Sequence, residues 1–322
     1  LDKEEWNKRL IRYSKEIDDG TFNSEETKQL VEDLFRFDYK SHFNANSNLE
    51  ELKQKLPKAK KHLAEYYDCT EEEMCLDNYI PIKETRCPYK VILGNSDFRY
   101  SNVTDLGKLQ IIGEDAFFAH SEVTDLGKLQ IIGRDAFFAH SEVTDLGELQ
   151  IIGRDAEFAF SKVTDLGKLQ SIGRYADFED SEVTNLGELQ IIGDNAYFRY
   201  SEITNLGKLQ NIGGSASFWY SKIINLGELQ SIGGDANFDF SKVTDLGKLQ
   251  SIGGTADFEN SEITNLGELQ IIGRGAGFAF SKVTDLGKLQ NIGGIANFSY
   301  SKITNLGELQ SIGGDANFDF SK

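Results

Sequence analysis

His120 and His140 stand one twenty-residue interval apart, with Ala119 and Ala139 beside them. Two imidazoles so placed can share a metal, but two ligands fall short of the four a structural zinc takes, and no Cys lies near. An exposed aromatic patch is the expected reading. Cys69, Cys75 and Cys87 fall in one short stretch. Their odd count and spacing match no zinc pattern, which leaves either one local disulfide with a free thiol or three reduced thiols. Asp177, Glu179 and Asp180, with Glu157 one interval earlier, form an acidic island. A shallow face excludes water poorly, so this is not a poised acid–base pair. The Asp/Asn column that begins at Asp105 offers one oxygen ligand per interval, too few for calcium. The recurring Ile-Gly-Gly lacks the Lys-Ser/Thr of a phosphate loop. No enzyme, metal or cofactor is expected.

Bulk charge narrows the partners. With 34 Lys+Arg against 52 Asp+Glu the formal charge is -18, and most of the excess sits after residue 95. Nucleic-acid backbones and anionic membranes are held by surplus cations, so both are disfavoured, and a protein with a basic surface is the better electrostatic match. No apolar run reaches the length of a membrane span. The chain opens on Leu1 rather than Met and stops within a repeat at Ser321-Lys322. It therefore reads as a piece of a longer protein.

From about Leu93 the sequence copies itself every 20 residues, and twelve copies can be counted through the Phe column from Phe98 to Phe318. So short and strict a period is a solenoid signature. In one copy the apolar positions are Ala136, Phe138, Val143, Leu146, Leu149 and Ile152. The x-Ala-x-Phe-x stretch has period two and predicts a short strand with Ala and Phe inward; the rest has period three and brings the chain back. One coil cannot bury this set alone, whereas stacking closes a continuous core. Gly107 and Gly113 recur in step and suit bends that need positive φ or close backbone approach.

Written as LxLxxNxLxxL, with Ala and Phe in the first slots, the pattern resembles the leucine-rich repeat family in its short bacterial form. The stretch LGxLQxIGG is similar to repeats of secreted or surface bacterial proteins. The resemblance implies a curved stack with a parallel β-sheet on its concave face, and a non-enzymatic role in protein binding. It departs from the family at Ser101, Ser121 and Ser141, which stand where Asn is usual. A hydroxyl has one donor against two for the amide, so a thinner tie between coils is expected, with the Gln110/Gln130/Gln150 column compensating. A β-helix of short rungs is the rival architecture.

Variation is largely confined to columns flanking Ala and Phe, which by period two point outward. One cluster is Phe117, His120, Phe137, His140 and Phe160; a second is Tyr197, Arg199, Tyr200, Trp219 and Tyr220; Asp177 and Glu179 lie between. Aromatics and Arg anchor interfaces, so these twelve are the candidate partner-binding residues. The column of Tyr100, His120, His140 and Phe160 is mostly Phe or Tyr and reads as a half-buried edge of the strand. The alternative is a structural or self-associating solenoid without a specific partner; the oligomeric state is open. From Glu148 and Lys168 to Glu308 one column alternates in sign, which reads as a surface ion-pair ladder.

Residues 1–90 differ in kind and are read as an α-helical N-terminal module ahead of a solenoid over 91–322. Helical spacing covers residues 3–18 and 24–37, with Ser24-Glu25-Glu26 as the second start. A third helix over residues 48–66 carries Pro57, which should kink or restart it. Residues 80–89 read as an extended linker. Capping the solenoid is the expected role, and docking elsewhere the alternative.

Overall fold

The computed structural model describes residues 3–35 and 47–321. The chain is a parallel β-solenoid of about twelve turns behind a small helical region, as the period predicts. Each coil lays down two short strands where one was expected. The first coil has β1 (Met74–Cys75) and β2 (Tyr79–Pro81), the next β3 (Val91–Ile92) and β4 (Asn95–Asp97), and the last β25 (Ser311–Ile312) and β26 (Ala316–Asn317). Odd strands form one thirteen-stranded sheet and even strands another. Every position pairs with its own column: Ile172 with Ile192, Ala156 with Ala176. The second strand is the expected Ala-x strand. The first uses the Ile-Ile or Ser-Ile pair, with the second Ile of each inward. Isolated bridges such as Asp125 to Asp145 trace a third face along the Thr-Asp stretch.

The core is the predicted column set. Ala136, Phe138, Val143, Leu149 and Ile152 are fully buried and Leu146 nearly so. Successive Phe rings stack face to face, Phe178 and Phe218 each 5.4 Å from Phe198. The two glycine columns divide the two roles expected of them. Gly107 and its equivalents hold φ between 54 and 61°, whereas a Cβ on Gly153 would run into the carbonyl oxygen of Gly133.

The inter-coil tie lies elsewhere than expected. In the Ser column Ser121, Ser141 and Ser161 bury hydroxyls that meet no partner, while Ser181 donates within its own coil to the Phe178 carbonyl at 2.9 Å. Gln150 joins the ladder through its backbone, its N–H donating to the Gln130 carbonyl at 2.9 Å. The side-chain tie comes from the column before Ala. Asp135 accepts the Asp155 N–H at 3.1 Å, and Asn195 accepts the Ser215 N–H at 2.7 Å. A short carboxylate or amide beside the strand start reaches the next coil; Ser, folded inward, does not. An unpaired buried hydroxyl contributes nothing and costs its desolvation. Ser141→Ala is therefore expected to leave stability unchanged or raise it, and Ser181→Ala to lower it by about 1 kcal/mol. Urea midpoints of the two variants check this; equal losses would refute it.

On the third face, bridges such as Asp145 to Asp165 continue from one pair of coils to the next, while the Thr and Glu N–H bonds join coils two by two. The Thr184 N–H donates to Thr164 O and Glu188 N–H to Gly167 O, both 2.9 Å, while Leu166 N–H returns to Asn185 O at 3.0 Å. The same set recurs between the 204 and 224 coils and between the 244 and 264 coils. From one pair to the next, ion pairs span the face: Lys168 to Glu148 and Lys208 to Glu188, each 2.6 Å.

The helical region comprises α1 (Lys3–Asp19), α2 (Ser24–Phe35), α3 (Ser47–Lys55) and α4 (Lys60–Tyr66). Part of the expected second helix, residues 36 and 37, lies outside the described residues. Asn23 caps α2, its Oδ1 accepting the Glu26 N–H at 3.4 Å. Pro57 opens a 3-10 turn, Leu56–Ala59, from which α4 restarts. Tyr13 and Trp6 both donate to Asp33, at 2.7 and 3.1 Å, and lock α1 to α2.

These helices bury outward-facing residues of the first sheet, Met74 and Val91 among them, and Ile111 packs on the same cluster. The stretch read as a linker is itself stacked. Strand β2 pairs with β4, and Cys75, Ile82 and Cys87 join the solenoid core. All three cysteines are free, and burial pushes the Cys87 thiol up to about 11, so its thiolate is suppressed at neutral pH.

Candidate functional site

The outer side of the second sheet carries the variable columns. Its strands are parallel and in register, so like positions line up about 4.8 Å apart. Each coil leaves this sheet through a residue in the left-handed region: Tyr100, His120, His140, Phe160, Asp180 and their equivalents all have φ between 49 and 57°. This is the column read as a half-buried edge. It is an exposed corner instead, with Tyr100 79% and Phe160 58% accessible. Left-handed φ disfavours branched and bulky residues and suits Asn or Asp, which do occur at Asp180 and Asn260. Positive φ could not be read from a column of aromatics.

The first cluster assembles as expected. Phe117 and Phe137 stack at 5.0 Å with their planes 1° apart, and the Arg99 guanidinium lies 4.8 Å over Phe117. Along the corner His120 and His140 stack at 5.7 Å, and His140 and Phe160 at 5.6 Å. Ala119, Ala139 and Ala159 form the floor between the two aromatic rows. Among the described residues no group of three or more His, Cys, Asp or Glu is arranged to hold a metal.

The second cluster is tighter on one side. Trp219 meets Tyr200 at 5.4 Å and Tyr220 at 4.7 Å, both edge to face, and Tyr220 stacks on Tyr200 at 5.8 Å. Tyr197 does not join it and packs on Tyr175 at 5.2 Å. Arg199 is tied to Glu179 as an ion pair. Tyr175 was missed; its column was variable, which was the available signal, but it precedes Ala rather than following it.

The acidic island is mostly spoken for. Asp177 accepts the Tyr175 hydroxyl at 2.9 Å and the Glu179 N–H at 2.9 Å. That second bond recurs: Asp97, Asn237, Asp257, Asn297 and Asn317 each accept the N–H two residues on. Half of this variable column thus steadies the turn into the corner. Asp97 has the strongest version. Burial favours its protonated form, but Arg99 and Tyr79 outweigh that and hold the carboxyl down at about 2. Glu157 has no cation in ion-pair reach among the described residues. Burial pushes its carboxyl up, and Asp177 in the next coil adds to the shift.

Apart from this face, an apolar cleft lies between α3 and the first coils, lined by Leu49, Leu56, Leu76 and Leu93, with Lys53 and Arg134 both on Glu114 at its rim. No described helix is long and apolar enough to cross a membrane.

Fold and face together define a parallel β-solenoid that displays aromatic and charged columns from a rigid sheet and corner. No protein-family model matches the chain, and no curated protein or solved structure matches it.

Proposed function

We propose that the chain is a non-enzymatic protein-binding solenoid whose partner seats on the outer side of the second sheet and its corner. The observation that carries this reading is the Tyr200–Trp219–Tyr220 cluster. Both tyrosines are about 45% exposed, yet both rings meet Trp219 edge to face, on a backbone hydrogen-bonded to the coils on either side. Pre-organised aromatics lose little freedom on binding, which is what makes interface anchors. The Phe117, Phe137, His120, His140 and Phe160 rows supply a second apolar footing, and Glu157, without a Lys or Arg partner among the described residues, favours a partner that brings one. Kinship with short leucine-rich repeats of secreted or surface bacterial proteins is proposed on the column spacing Leu146, Leu149, Ile152 and the Ser141 slot.

The test is capture of binding proteins on immobilised wild type beside Trp219→Ala/Tyr220→Ala. Loss of a central aromatic anchor costs 2 kcal/mol or more, so affinity for a true partner should fall about thirtyfold or further. A captured protein that binds the double variant equally well would place recognition elsewhere.

A further inference from the structure

The third face has an order that neither folding nor the second sheet requires. Two columns of Lys and Glu run along it, one through residue 122 and the other through residue 128, separated by an exposed Thr column and an exposed Asp/Asn column through residue 125. From residue 122 to 302 the first column reads Glu, Glu, Lys, Glu, Glu and then Lys, Lys, Glu, Lys, Lys. Reversed end for end, each sign meets its opposite in all five pairs of positions. The centre falls between the coil of Glu202 and the coil of Lys222. The second column alternates Lys and Glu from 128 to 308, and an even alternation is antisymmetric about its own middle. That middle, between Lys208 and Glu228, is at the same two coils.

Ion pairs within the chain account for part of the pattern and leave a defined remainder. Lys162 pairs with Glu142, and Lys282 with Glu262; end-for-end reversal exchanges these two pairs. Lys222 pairs with Glu202, at the centre. In these two columns, Glu122, Glu182, Lys242, Lys302, Lys128 and Glu308 are exposed and form no ion pair among the described residues. Under the same reversal Glu122 meets Lys302, Glu182 meets Lys242, and Lys128 meets Glu308.

A further observation marks the same centre. The Thr column has one apolar member, Ile224, 54% exposed and standing in the coil beside the point of antisymmetry. Interfaces concentrate their apolar anchor near the middle and leave charge to the rim.

We propose that this face binds a second copy of the chain, antiparallel, about a two-fold axis that crosses the face between the 201–208 and 221–228 coils. Such an axis lays each column on its own copy run backwards, the isologous arrangement in which one patch is complementary to itself. Ten coils at about 4.8 Å, by about 16 Å across the five residues that precede the Gly127 turn, give on the order of 750 Å² per copy, within the range of a specific interface. Between these columns lie only short Thr and Asp/Asn side chains, which let the two faces approach; reversal sets Asp against Asn or Asn against Asn at four of five pairs of positions, and Asp145 against Asp285 at the fifth. The second sheet stays free, so the dimer would present two partner-binding faces.

The experiment is sedimentation velocity of the full chain at low and high salt, with charge-reversed variants at exposed sites that leave the fold intact by circular dichroism. Wild type is expected to be dimeric at low salt and to dissociate as salt rises. Lys242→Glu/Lys302→Glu alone, and Glu122→Lys/Glu182→Lys alone, should each weaken the dimer about a hundredfold, because each sets like charges face to face. Mixed together, the two variants should form a heterodimer as tight as wild type. Ile224→Thr should weaken it about tenfold. Carbodiimide should link Glu122 to Lys302, which within one chain are nine coils or roughly 43 Å apart. A wild type that stays monomeric at low salt, variants that dimerise unaided, or a mixture that stays monomeric would overturn the proposal.

Discussion

Phe198→Ala should lower stability by about 3–5 kcal/mol and split unfolding into two steps. The ring is fully buried, with Phe178 and Phe218 each 5.4 Å away on opposite faces. Truncation removes both stacking contacts and leaves a cavity that the flanking coils cannot close, because their own backbones are fixed by the ladder. In a solenoid each coil leans only on its neighbours, so the loss stays at two interfaces rather than spreading. The halves on either side can then melt separately. Urea titration followed by circular dichroism, with hydrogen exchange to locate the break, measures this. Phe318→Ala serves as the control: its ring is 45% exposed in the last coil and should cost far less. A single transition at the wild-type midpoint for Phe198→Ala would mean the ring stack contributes little.

Two glycines of the same column, with the same φ, should respond differently. Gly167 and Gly187 have φ of 54 and 56°, so an alanine at either incurs the left-handed penalty of about 1–2 kcal/mol. A Cβ on Gly167 has open space. One on Gly187 meets the carbonyl oxygen and nitrogen of Gly167. Gly187 belongs to the second coil of a bonded pair, and the Glu188 N–H bond to Gly167 O draws the backbones together at that point. Gly187→Ala must therefore open the pair as well as strain the turn, and should cost about 3 kcal/mol or more, against about 1 for Gly167→Ala. Chemical denaturation of the two variants side by side decides it. Equal losses would show that φ alone sets the requirement for glycine.

What the sequence disclosed and what it hid divide along physical lines. The solenoid, its period and its inward columns were legible because the same inward positions are apolar in coil after coil, and Ala136, Phe138 and Leu149 have no other use. The second strand per coil was not. Ile151-Ile152 is too short to show a period of its own, and its outward member changes freely to Ser171 or Asn211. The aromatic clusters were legible as clusters, since columns stack. Their corner geometry was not, because Tyr200 and Phe240 are poor advertisements for a left-handed residue. Asp177 looked like part of an open acidic surface, and only coordinates reveal that one oxygen holds the Glu179 N–H and the other the Tyr175 hydroxyl. The tie between coils was sought at Ser141, by analogy with an Asn that would stand there. It lies at Asp135 and Asn195, where a short side chain leans toward the next coil.

The bonding of coils in twos has a consequence for how such a chain can grow. A single coil gained or lost by slippage of the repeating gene would set Lys beside Lys, or Glu beside Glu, at the junction between pairs, and would leave one coil without its backbone partner on the third face. Forty residues gained or lost together would preserve both. The repeat of that bonding and charge is then the pair of coils, although the unit of sequence similarity is half that length.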